Sequence, residues 1–119
     1  TAVINYIHRL EQAGEKIPRE DICYSFEKWV VDELVEKTVR ACLDSGMDTI
    51  VLAGGVSANT RLRSELKGAC EKNRLKCYFP AFEYCTDNAA MIGSAGYYAY
   101  RDGVGLADLT LAPNPSLSL

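Results

Sequence analysis

The run Val51-Leu52-Ala53-Gly54-Gly55-Val56-Ser57-Ala58-Asn59-Thr60-Arg61 holds the residue types best suited to gripping an anion. A glycine pair between a strand-like segment and a helical pattern makes a turn whose free backbone N–H groups can be aimed at a phosphate. Gly54 and Gly55 allow positive φ and a close backbone approach that a Cβ would block, while Asn59 can cap the following helix or turn its amide toward a ligand. Upstream, Asp48-Thr49-Ile50-Val51-Leu52-Ala53 is apolar, β-branched and of strand length. Downstream, Leu62, Leu66, Ala69 and Cys70 recur at helical spacing. The segment reads as a strand, a glycine turn and a helix that the turn opens, hence as a nucleotide or phosphate site. The same pattern also serves as an ordinary tight connection.

A second segment has the same layout. Pro80-Ala81-Phe82-Glu83-Tyr84-Cys85-Thr86-Asp87-Asn88-Ala89-Ala90-Met91-Ile92-Gly93 follows another short strand pattern, Lys76-Cys77-Tyr78-Phe79. It sets Thr86, Asp87 and Asn88, all able to cap a helix, at the mouth of the next one.

Gly-Gly-Val-Ser-Ala-Asn and Cys-Thr-Asp-Asn-Ala-Ala-Met, in this order and at this spacing, resemble the C-terminal region of the TsaD/Kae/Gcp family. Asp21 to Leu34 is similar to that family's long helix, and Thr1-Ala2-Val3 to the end of its Gly-Leu-Lys-Thr-Ala-Val segment, so the likeness spans nearly the whole chain. The resemblance implies a partial α/β lobe of the actin-like ATPase (ribonuclease H-like) fold, residues 1–119 being a C-terminal lobe fragment of a two-lobed protein. It implies transfer of a threonylcarbamoyl group from threonylcarbamoyl-adenylate to N6 of the tRNA adenosine beside the anticodon, together with the accessory proteins of that pathway. On the same grounds Gly54, Gly55 and Asn59 correspond to donor-binding positions and Asp87 to a ligand of a divalent metal ion, iron or zinc. The family completes that metal shell with a His-x-x-x-His pair. This chain has one histidine, His8, outside any such motif, so the fragment alone is expected to be inactive. Two rival readings are a metallopeptidase, for which no His-Glu-x-x-His is present, and a non-catalytic nucleotide-binding or partner-docking module.

At 119 residues the chain is one domain's worth, and 48% hydrophobic residues with a mean hydropathy of −0.09 fit a globular domain. No apolar run approaches a membrane span and no leader pattern is evident, which points to a cytoplasmic protein without a membrane partner. The formal charge of −3 gives no bulk attraction for RNA, so a tRNA grip has to come from elsewhere. Cys23, Cys42, Cys70, Cys77 and Cys85 are odd in number and form no Cys-x-x-Cys pair, which speaks against a disulfide scaffold or zinc ribbon.

These residues need a frame. Val3, Ile4, Ile7 and Leu10 predict a helix ending at Gly14, with His8 on its flank. A helix of about 25 residues follows from Pro18 to the Ser45-Gly46 stop, with Ile22, Phe26, Trp29, Val30, Leu34, Thr38, Ala41 and Cys42 on its packed face. Residues 48–73 and 76 to about 102 read as two strand–turn–helix units whose succession predicts parallel strands. Both special loops then lie at the carboxyl ends of those strands, where such sheets bind ligands. The last helix is rich in small residues (Ala89, Ala90, Gly93, Ala95, Gly96, Ala99), which predicts close approach to a sheet. Residues 106–119 read as an extended tail. Arg61 and Arg63 are exposed charges by default and phosphate or tRNA contacts otherwise. Tyr97, Tyr98 and Tyr100 fit core or interface packing better than a base-stacking platform.

Overall fold

The structure, a computed structural model, describes residues 1–113 and 116. It divides into two compact units, Thr1–Cys85 and Thr86–Leu119. Within the segment read as a tail, residues 106–113 form neither helix nor strand; residues 114, 115 and 117–119 lie outside the described set.

The first unit runs α1 (Ala2–Gln12), α2 (Arg19–Asp44), β1 (Thr49–Val51), α3 (Thr60–Asn73) and β2 (Lys76–Tyr78). Glu20 and Asp21 sit at the positive end of α2. Its exposed side carries i,i+4 pairs, Lys28–Asp32, Glu33–Lys37 and Glu36–Arg40. Three helices end on left-handed residues: Gly14 and Gly46 follow α1 and α2, and Arg74 (φ 58°) ends α3. β1 and β2 pair in parallel, Thr49 beside Lys76, Ile50 beside Cys77 and Val51 beside Tyr78, so β1–α3–β2 is one crossover unit, as the sequence predicted. Among the described residues the sheet has only two strands, and most of those residues are helical.

The core joins Val39 and Cys42 of α2, Ile50 of β1, and Leu66 and Cys70 of α3, with Val35, Leu52, Ala69, Leu75, Cys77 and Phe79 packed around them. This corrects the expected face of α2. The buried line is Val31, Val39 and Cys42, with Val35 partly buried; of the expected residues Cys42 is buried, whereas Phe26 and Trp29 remain 53% and 63% exposed. Apolar residues occur on two sides of α2, so periodicity alone did not distinguish them. The second side borders an apolar cleft of about 940 Å³ with α1, lined by Ile4, Tyr6, Ile22, Phe26 and Trp29 among others.

The second unit holds α4 (Ala89–Arg101), and none of its residues is buried. A Cβ built at Gly93 or Gly96 meets nothing within 4 Å. Tyr97, Tyr98 and Tyr100 are likewise exposed and not in a core; Tyr97 and Tyr98 meet edge to face at 5.4 Å. No helix among the described residues is long and apolar enough to cross a membrane.

Candidate functional site

The loop after β1 is built by one unusual residue and one cap. Gly54 takes φ 82° and ψ 174°, a region essentially restricted to glycine. Gly55 does not share it, so only one of the two glycines is required by the turn itself. The chain then makes a 3-10 turn, Gly55–Ala58, before α3 starts. The glycine pair therefore does not open the α-helix directly; an added turn carries the chain to Asn59. Among the described residues, the N–H groups of Gly54, Gly55 and Val56 have no hydrogen-bond acceptor, the property an anion-binding loop needs.

Asn59 caps α3, its Oδ1 accepting the Leu62 N–H at 2.8 Å. Its Nδ2 donates to Glu27 Oε1 of α2, also at 2.8 Å. An amide offers two N–H donors and two acceptor lone pairs, so half of this capacity stays available after both bonds. Capping and ligand contact are thus compatible at this residue. A recess of about 280 Å³ lies alongside, walled by Phe26, Val30, Val31, Leu34, Val56 and Leu62, with Glu27 and Asn59 as its polar groups. Apolar walls with a few placed polar groups are the usual make-up of a small-molecule site. Glu27 escaped the sequence reading because it lies 32 residues from Asn59 and carries no local signal.

The loop after β2 leaves the sheet at Phe79 and makes a second 3-10 turn, Phe82–Tyr84, ending at buried Cys85. Arg63 of α3 reaches into both loops: Nε donates to Ser57 O, and Nη2 donates to Pro80 O at 2.7 Å and to Cys85 Sγ at 3.2 Å. Its guanidinium also lies over Phe82, 4.1 Å from the ring centre. Arg63 is thus neither solvated charge nor a free phosphate ligand. Arg61 instead stacks on Tyr24 of α2 at 4.8 Å.

In the second unit the helix mouth is organised by Asn88, whose Oδ1 accepts the Met91 N–H at 3.1 Å and whose Nδ2 donates to Thr86 O at 2.8 Å. Capping thus falls to Asn88, and the neighbouring Asp87 carboxylate is exposed, with no hydrogen bond or ion pair among the described residues. One unengaged carboxylate suits a metal as a single donor. Among the described residues no three of His, Cys, Asp and Glu are grouped to hold an ion. His8 lies exposed on α1.

The remaining electrostatics serve the frame. At the amino ends of the strands Lys76 Nζ bonds Asp48 Oδ2 at 2.8 Å, which holds the Asp48 carboxyl below its usual range and raises the Lys76 ammonium. Burial, reinforced by neighbouring Cys77, pushes the Cys70 thiol up to about 11. All five cysteines are free.

Comparison with known proteins meets this geometry. The TsaD family model, described as tRNA N6-adenosine threonylcarbamoyltransferase, matches residues 1–94. A Caldicellulosiruptor saccharolyticus protein of that name is 51% identical over 87% of this chain and 31% of its own length. Proteins of the same name from Clostridium botulinum (strain 657 / Type Ba4) and Clostridium novyi (strain NT) are each 46% identical, over 98% and 100% of this chain and 35% of their own lengths. The chain spans about a third of the length of the curated relatives it matches. With the family model covering its strands, both special loops and the start of α4, the chain belongs to the TsaD family.

Proposed function

We propose that this chain is the C-terminal part, in an actin-like two-lobed fold, of a tRNA N6-adenosine threonylcarbamoyltransferase. The reading draws support from the shared name of its relatives, which also favours a transferase over the peptidase alternative. In the whole enzyme the N6 amine of the tRNA adenosine attacks the carbamoyl carbon of threonylcarbamoyl-adenylate. A C–N bond forms, the C–O bond to the phosphate breaks, adenylate leaves with the electron pair, and the amine gives up a proton. Gly54, Gly55 and Asn59 hold the adenylate portion. The unpaired N–H groups at Gly54–Val56 receive phosphate charge, and the recess beside Asn59 accepts an apolar ring face. Asp87 is one ligand of a divalent metal, iron or zinc, which when bound supplies an electrophilic contact to donor oxygens. The remaining ligands come from outside the described residues. The accessory proteins of the threonylcarbamoylation pathway act with the enzyme in the cytoplasm.

The observation that carries this reading is the recess flanked by Asn59, whose amide keeps one donor and one acceptor free after both structural bonds are made. The test is a transfer assay with full-length enzyme, labelled threonine, tRNA and the donor-forming enzyme, run beside binding of a non-reactive adenylate analogue. Label on tRNA together with analogue binding is the expected result. Analogue binding with no transfer under any combination of metal and partner would instead support a nucleotide-binding module without catalysis.

A further inference from the structure

Beyond Leu52 N–H to Tyr78 O, no hydrogen bond joins the loop after β1 directly to the loop after β2 among the described residues. A single side chain bridges them. The Arg63 guanidinium donates to Ser57 O on one loop and to Pro80 O and Cys85 Sγ on the other, and it lies over the Phe82 ring between these bonds. Its anchors are not mobile surface groups, since Ser57 is 1% and Cys85 2% exposed. Arg63 itself stands on the first turn of α3, the helix that Asn59 caps, so its origin is rigid with respect to the candidate ligand loop.

We propose that Arg63 is a positioning residue: it sets the spacing between the loop carrying Gly54, Gly55 and Asn59 and the loop running from Pro80 to Cys85, and so fixes the mouth of the donor site. This rests on the reading that the first loop holds adenylate. The chemistry calls for arginine. A planar fork with several fixed N–H donors can serve acceptors on two sides at once while its face covers an aromatic ring, whereas a lysine ammonium is a compact point charge without that geometry. Small misplacements of a binding constellation carry large functional costs, which is why a side chain that touches no ligand still governs affinity.

The experiment uses full-length enzyme with Arg63→Lys, Arg63→Ala and Arg63→Met. Three quantities are read well below the melting temperature: amide hydrogen exchange in residues 53–59 and 80–85, alkylation of Cys85, and affinity for the adenylate analogue. The expected result for Arg63→Lys is faster exchange in both loops, an alkylatable Cys85 and about tenfold weaker analogue binding. Added guanidinium ion should restore part of the affinity of Arg63→Ala and none of that of Arg63→Met, whose side chain fills the space. A merely structural arginine would lower the melting temperature without this rescue or any loss of affinity in the folded protein. Wild-type exchange, Cys85 protection and affinity in Arg63→Lys would overturn the proposal. If wild-type enzyme binds no analogue, the donor-site reading fails, and the exchange and alkylation results alone decide whether Arg63 joins the loops.

Discussion

Replacing the two glycines of the loop one at a time separates the needs of the turn from those of a ligand. Gly54 at φ 82° and ψ 174° occupies backbone space that an alanine enters only under strain, so Gly54→Ala should cost about 1–3 kcal/mol of stability. Gly55 begins a 3-10 turn without positive φ, and a Cβ built on it meets no atom within 4 Å. Alanine there fits the folded backbone and restricts the unfolded one, so Gly55→Ala should raise stability by about 0.4–1 kcal/mol. If the donor's phosphate approaches the backbone at Gly55, the new methyl group lies in its path, and an affinity loss of about tenfold corresponds to about 1.4 kcal/mol. Thermal melts and titration with the adenylate analogue, both on full-length enzyme, give the two quantities independently. The expected pattern for Gly55→Ala is a higher melting temperature with weaker binding, a combination that general damage to the fold cannot produce. Wild-type affinity in a stabilised Gly55→Ala protein would refute the close approach of a ligand at this residue. An unchanged melt for Gly54→Ala would refute the strain argument.

Three further perturbations test the neighbouring residues. Asn59→Ala should lose about 0.5–2 kcal/mol of capping as well as analogue affinity, with melts and titrations separating the two. Asn59→Asp keeps a capping oxygen but sets a carboxylate against Glu27. The like charges repel, so the Asn59→Asp melt should fall below that of wild type, and adding Glu27→Gln should recover the loss. Asp87→Ala in the full-length enzyme should lower metal content and transfer rate together while leaving the melt nearly unchanged, because Asn88 supplies the cap; normal metal by elemental analysis in the folded variant would remove Asp87 from the ligand set. Thiol labelling of the native protein should modify exposed Cys23 first, with Cys42, Cys70 and Cys85 reacting only on unfolding. Because the Cys70 pKa is raised to about 11 in the fold, its stabilising share holds below the usual thiol range and fades as pH climbs through about 11, which alkaline melts of Cys70→Ala against wild type would detect.

Much of the first unit was legible because its signals are local. Acidic residues after Pro18 and the stop at Gly46 bounded α2, two short apolar runs separated by one helix implied the parallel β1–α3–β2 unit, and Asn59 stood where a cap belongs. Gly54 was legible for the same reason, since positive φ is a property of one residue and its neighbours. The family likeness rested on two short motifs, and the matched relatives carry it across the chain. What the tertiary structure decided depends on residues far apart in sequence. It moved the buried stripe of α2 to Val31 and Val39 while keeping Cys42, because α3 and β1 pack on that side and leave Phe26 and Trp29 exposed. It brought Glu27 to the amide of Asn59 and turned Arg63 from an apparent surface charge into a bridge between two loops. Spacing along a chain reports which residues share a local turn or face; which partner that face meets is set only when distant segments compete for the same buried surface, and that competition leaves no periodic trace in the sequence.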